Sequence, residues 1–222
     1  LNLLKRRDIP PLLFFEVLMS LYSIWARKRY EEEHRKIAED QERHNQMQLS
    51  EWLDAKKMEE SMIFVDQDNT LLLLSGMEHV ARLGSWANDH SKFANIMGYH
   101  VGVLPRPHAL GFLGECRRIA KVYVLTAGVT HFQEEVLKTV NMLDAVDGVF
   151  GRDRYHEVPK GKKSILIDNL PHNHPNSVAK LDAMGGGMFV KVPDWEGENP
   201  KDNALMGLLP NLRKVFDTSL VA

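Results

Sequence analysis

Residues 62 to 70 run Met-Ile-Phe-Val-Asp-Gln-Asp-Asn-Thr, and this short stretch constrains the fold more than any other. Ile63, Phe64 and Val65 form an apolar, partly β-branched run of the kind that fills a strand covered on both faces. The run ends abruptly in Asp66, Asp68 and Thr70. Polar groups just past a buried strand fall at the carboxyl edge of a sheet, where open α/β folds place their ligands. Two carboxylates one residue apart raise each other's cost of ionisation, which suits a divalent cation or a division into acid and nucleophile. An Asx-turn closing the strand is the structural alternative.

Three further runs repeat the pattern. Val122 to Leu125 ends in Thr126-Ala127-Gly128, Ser164 to Ile167 ends in Asp168-Asn169, and Met188 to Val192 follows a Gly185-Gly186-Gly187 turn. His131 to Asn141 has helical spacing, and Asn203 to Phe216 reads as a closing helix interrupted near Pro210. Strand-like and helix-like units in alternation predict an α/β domain with a doubly wound parallel sheet over residues 61–222. In such a sheet the ends carrying Asp66, Asp68, Thr126, Asp168 and Asn169 meet in one crevice. Asp66, Asp168 and a backbone carbonyl near Asp68 would offer hard oxygen donors suited to Mg²⁺, and the Thr126 hydroxyl could hold a phosphate oxygen. That reading requires room for a cation between Asp66 and Asp168. An ion pair filling the space would argue against it.

Residues 1–60 differ from the remainder. From Arg27 to Glu60 the chain is rich in Lys, Arg, Glu, Asp, Gln and His, without Gly or Pro. This predicts a helical N-terminal extension, a solvated arm or a docking arm for a large complex. Leu12 to Trp25 is the most apolar stretch, but it is short for a membrane span and carries Glu16, so a packed helix is favoured over membrane association. Beginning at Leu1 rather than Met, the chain reads as processed, truncated or incomplete. A net charge of -2 gives no reason to expect nucleic acid. The single cysteine, Cys116, rules out an internal disulfide and suits an intracellular, reducing compartment; it reads as a packed core thiol. His172 and His174, in a Pro-flanked loop, read as surface residues.

The order of these motifs resembles the haloacid-dehalogenase superfamily, and within it the small C-terminal-domain, NLI-interacting-factor-like phosphatases. Asp66-Gln67-Asp68-Asn69-Thr70-Leu71 is similar to that family's Asp-Leu-Asp-Glu-Thr-Leu. Val103 to His108 resembles its Arg-Pro-His segment, and Val124 to Gly128 its Phe-Thr-Ala-Ser. Ile167 to Pro171 resembles Val-Asp-Asn-Ser-Pro, and Leu208-Leu209-Pro210 its C-terminal helix. The likeness runs from about Ser61 to Phe216 and implies a two-step phosphotransfer. Asp66 would be the nucleophile that becomes an aspartyl-phosphate, and Asp68 the general acid and base. Thr126 would bind phosphate, and Asp168 with Asn169 would complete a Mg²⁺ site begun by Asp66 and Asp68. The family also needs a cation at the phosphate; Lys160, Lys162 and Lys163 compete for the role, and Lys160 is the choice made from position. The segment 71–100 lacks the family's recognisable substrate-pocket sequence.

With some 50 residues between the first two motifs, no large closing domain is expected. An open crevice favours a phosphoprotein or another bulky phosphoester. The rival expectation is a catalytically silent, polypeptide-binding subunit of a larger complex. The same family contains such a protein in the mitochondrial inner-membrane translocase. The compartment, nucleus or cytoplasm against mitochondrion, stays open.

Overall fold

The computed structural model describes residues 61–216, together with Glu32 and Arg35, both helical. The expected N-terminal extension, its docking role and the apolar stretch 12–25 otherwise lie outside the described residues.

Five parallel strands form the main sheet: β1 (Ser61–Val65), β5 (Lys121–Leu125), β6 (Gly148–Phe150), β7 (Lys163–Asp168) and β8 (Met188–Lys191). Their order across the sheet is β6-β5-β1-β7-β8. Strand alternation explains the layers on either side. Ile63 and Val65 point to the face covered by α3 (Ala109–Arg117), α4 (Thr130–Thr139) and α6 (Ala204–Phe216), through Phe112, Leu113, Val136, Leu137, Leu205 and Leu209. Met62 and Phe64 point to the opposite face, against Val158, Met184 and Leu181 of α5 (Pro175–Ala183). Burying β1 on both sides leaves no place for a polar side chain until the strand ends. Asp66 is where it ends.

From β1 the chain moves to one side, through β5 and β6, then crosses back to β7 and β8 on the other. The switch point therefore lies between β1 and β7, and it is there that a ligand crevice opens in doubly wound sheets. Cys116 is fully buried in α3, as a core thiol, and burial pushes it up to about 12. The closing helix is not interrupted: α6 runs unbroken through Pro210, which sits on its exposed side.

The segment after Thr70 holds what sequence reading left unassigned. It forms a three-stranded antiparallel sheet, β2 (Leu72–Gly76), β3 (Lys92–Ile96) and β4 (Tyr99–Pro105), ordered β2-β4-β3. Two six-residue helices, α1 (Met77–Arg82) and α2 (Ser85–His90), bridge β2 to β3. Leu73, Val80, Ala87, Leu104 and Trp195 make a small core of their own beneath it. Trp195 packs there, edge-on to Trp86.

Candidate active site

Register brings the distant acids together. Val65 pairs with Ile167, and Asp66 N–H donates to the Ile167 carbonyl at 2.8 Å, so Asp66 and Asp168 stand level on neighbouring strands. Both side chains are buried, Asp168 completely. Thr126 lies one strand over, just beyond β5, and is 1% exposed. Its Oγ1 accepts from Gly128 N–H at 3.2 Å, which leaves the hydroxyl hydrogen unassigned to any protein acceptor. Its carbonyl accepts from the Tyr155 hydroxyl at 3.0 Å.

Between Asp66 and Asp168 stands an ammonium. Lys180 Nζ donates to Asp66 Oδ1 at 2.5 Å and to Asp168 Oδ2 at 2.8 Å, and the residue is 1% exposed. Lys160, the lysine chosen from position, is not brought to this pair. That residue is exposed, with its aliphatic stem running past Gly185. The physical reason is helix geometry: Ser177 and Lys180, three apart on α5, share its inward face, and Ser177 Oγ donates to Asp168 Oδ2 at 3.4 Å. Burial pulls Lys180 down, but Asp66 and Asp168 together outweigh it and hold the ammonium above its ordinary value. Lys180 also occupies the gap that was to be left open for a cation between the two carboxylates.

Around this pair the turn after β1 is fixed on several sides. The Gln67 carbonyl accepts from Leu71 N–H at 2.9 Å, and Asn69 takes a left-handed φ of 59°, which asparagine tolerates. Trp195 N–H donates to the Asn69 carbonyl at 3.0 Å. Arg106, 1% exposed, donates from Nη1 to the Thr70 carbonyl at 3.1 Å and from Nε to Asp202 Oδ2 at 2.7 Å. Arg106 is thus a brace for the turn, and its neighbour His108 enters α3 at a φ of 63°. Thr70 Oγ1 lies 3.0 Å from Asn169 Oδ1 and 3.3 Å from Asp66 Oδ2, with one hydrogen to give to either. Asn169 Nδ2 donates to Asp194 Oδ1, which turns the amide oxygen toward Thr70.

Asp68 stands apart from the ammonium. Gln133 Nε2 donates to its Oδ2 at 3.4 Å, and its Oδ1 is buried with no hydrogen-bond partner. Burial pushes both acids up: Asp66 to about 7, against the pull of Lys180 and with Asp168 adding repulsion, and Asp68 likewise upward, against the pull of Lys180 and the Gln133 hydrogen bond. The two histidines are outside this cluster. His172 is exposed beside Phe189, and His174 accepts from Asn176 N–H at the start of α5.

Whether the donors suit Mg²⁺ can be judged from charge. When ionised, Asp66 and Asp168 share one ammonium, and the upward push on Asp66 comes first from burial, with the charges of Asp168 and Asp68 adding to it against the pull of Lys180. Among the described residues no three His, Cys, Asp or Glu side chains are set to hold an ion together. The oxygen donors at hand are mixed: the carboxylates of Asp66 and Asp168, which Lys180 already bridges, the Asn169 amide oxygen, which lies against Thr70, and the backbone carbonyl of Asp68. Such hard, partly neutral oxygen sets suit Mg²⁺ completed by water.

A cleft of about 280 Å³ opens beside Gln133, lined by Met97, Tyr99, Gly128, Val129 and Phe132. Tyr99 and Phe132 meet edge to face across it at 6.2 Å. Met97 and Tyr99 are both well exposed at the β3–β4 turn.

Comparison with known proteins agrees with this fold. Residues 61–221 match the family model described as NLI interacting factor-like phosphatase. The structure of Fcp1, an essential RNA polymerase II CTD phosphatase, is similar with a TM-score of 0.54 and 14% identity; 74% of this chain and 64% of that one are covered. The fission yeast RNA polymerase II CTD phosphatase Fcp1 bound to beryllium fluoride gives a TM-score of 0.45, 16% identity, and coverage of 75% and 54%. No curated protein sequence matches the chain.

Proposed function

We propose that this chain, which belongs to the NLI interacting factor-like phosphatase family, hydrolyses a phosphate monoester through a phosphorylated Asp66. The observation that carries the reading is the meeting of Asp66, Asp168 and Lys180 at the switch point of the sheet. Phosphoryl transfer asks little of the protein beyond positioning and charge, because the transition state spreads negative charge over the equatorial oxygens. Lys180 and the Thr126 hydroxyl are the groups that would receive those oxygens. Asp66, at the bottom of the crevice, attacks phosphorus and is released when water displaces it. Asp68 gives a proton to the departing oxygen and takes one from that water. A bound Mg²⁺ at Asp66, Asp168, Asn169 and the Asp68 carbonyl would neutralise the phosphate and the excess carboxylate charge.

The apolar cleft beside Gln133 supports a bulky phosphoester, a phosphoprotein above all, over a small sugar phosphate. Lys180 in the gap between Asp66 and Asp168 is the observation that favours the silent, polypeptide-binding alternative, since it satisfies both acids without any ligand. Against it stands the charge excess, which one ammonium leaves uncancelled.

Hydrolysis of an aryl phosphate with and without Mg²⁺, beside Asp66→Asn, separates the two. The enzyme reading expects turnover that the variant lowers at least about 10³-fold. Equal and negligible rates in both proteins leave only the binding role.

A further inference from the structure

Two glutamines lie in the interior beside Asp68. Gln67 has no exposed surface, and Gln133, on the first turn of α4, is 4% exposed. Gln67 Nε2 donates to Gln133 Oε1, and Gln133 Nε2 donates to Asp68 Oδ2. The direction of this chain is set from one end. An ionised carboxylate only accepts, so Gln133 must turn its NH₂ toward Asp68; its carbonyl then faces Gln67, which must answer with NH₂. Gly128 belongs to the same arrangement, because a Cβ there would stand 2.1 Å from Gln133 Nε2 and drive the amide away. Packing alone is a poor reason for these residues. Buried amides are costly unless fully bonded, and Gln67 Oε1 is left without a donor.

We propose that Gln133, oriented by Gln67, is a positioning residue that holds Asp68 through Oδ2 and reserves Oδ1 as the oxygen that exchanges the proton. The proposal rests on the phosphatase reading of Asp68 given above. Oδ1 has no protein partner, so an oxygen brought into the crevice, of substrate in the first step and of water in the second, is the partner it lacks. In the first step the P–O bond to the leaving group breaks with its electron pair on that oxygen, which takes the proton from Oδ1, while Asp66 bonds to phosphorus. In the second, water bonds to phosphorus, its proton passes to Oδ1, and the Asp66 oxygen leaves with the electron pair. Oδ2 remains the acceptor of Gln133 throughout.

The test compares leaving groups. Acidic phenols depart without a proton, whereas basic ones need it, so a misplaced acid slows only the latter. Single-turnover phosphoryl transfer in the full chain with Mg²⁺ is measured across aryl phosphates from nitrophenyl to unsubstituted phenyl. Gln133→Leu is expected to slow the phenyl ester about 10- to 100-fold and the nitrophenyl ester less than about threefold, with KM little changed. Gly128→Ala should reproduce that pattern, and the double variant should be no slower than either alone. A uniform slowing, or none, overturns the positioning role while leaving Asp66 chemistry intact. Absence of turnover in the unaltered protein removes the phosphatase reading and this proposal with it. Should Gln133→Leu not fold, Gln133→Met and Gly128→Ala carry the same comparison, and a flat dependence in them overturns it.

Discussion

Two carboxylates leave the end of β1 one residue apart, yet their surroundings are opposite. Asp66 is held by charge: an ammonium 2.5 Å away that it shares with Asp168. Asp68 is held by dipoles, through Gln133 and, behind it, Gln67. The difference matches the division of labour proposed for them. A nucleophile must be ionised to attack, and the neighbouring ammonium favours that form against the burial that raises Asp66 to about 7. A proton carrier must pass between two forms, and a neutral amide penalises neither severely. The end of β1 thus gives one acid a hydrogen-bonded counterion, and the other an amide partner with Lys180 acting on it only through space.

The largest effect should come from breaking the charged half. Lys180→Met leaves Asp66 and Asp168 facing each other without a cation. It is expected to cost about 3–5 kcal/mol in metal-free urea unfolding and to lower turnover at least about 10²-fold. Lys160→Ala, a residue outside the cluster, should stay within about twofold of the unaltered rate. Comparable losses in both would mean that Lys180 is an ordinary structural lysine.

A second experiment titrates the same half. The folded chain keeps a proton on Asp66 up to about 7, whereas the unfolded chain releases it near the ordinary 3.8. Between those values the folded form binds more protons, so stability falls as pH rises through the window and levels off above it. Metal-free unfolding followed from about pH 5 to about pH 8 should show that fall. Asp66→Asn should flatten it, and Mg²⁺ should recover stability at the upper end. A curve that rises toward neutral pH would contradict a buried Asp66 that holds its proton.

The smallest effect belongs to the amide half. Gln67→Leu removes one hydrogen bond but also a buried acceptor that has no donor, so stability should change by less than about 1 kcal/mol in either direction. Its consequence should instead appear in the leaving-group dependence, as a weaker copy of Gln133→Leu. A large loss of stability would make the glutamine pair part of the framework.

Legibility in the sequence followed burial. β1, β5, β7 and β8 are apolar runs stopped by polar residues, and each is found within a residue or two of its expected place. The antiparallel insert was not legible for stated physical reasons. Leu71 to Leu74 continues straight past the first motif without a breaker, β3 is largely exposed and carries Lys92 and Asn95, and α1 and α2 are too short to show a period. Lys180 was missed because Val-Ala-Lys-Leu-Asp-Ala reads as an amphipathic helix with a solvated lysine. Its usable signal was Ser177, one turn earlier on a helix following Asp168 directly. Gln67 was visible as a departure from leucine, but its partner Gln133 sits 66 residues away, joined only by tertiary packing.

Lys180 reaches the crevice from the helix after β7, twelve residues beyond the acid it bridges. One contiguous strand-loop-helix module therefore carries both a carboxylate and the counterion that makes burying it tolerable. The connection between β6 and β7 meets the crevice from the other side, through the Tyr155 hydroxyl that holds the Thr126 carbonyl and through Val158 in the core beneath it.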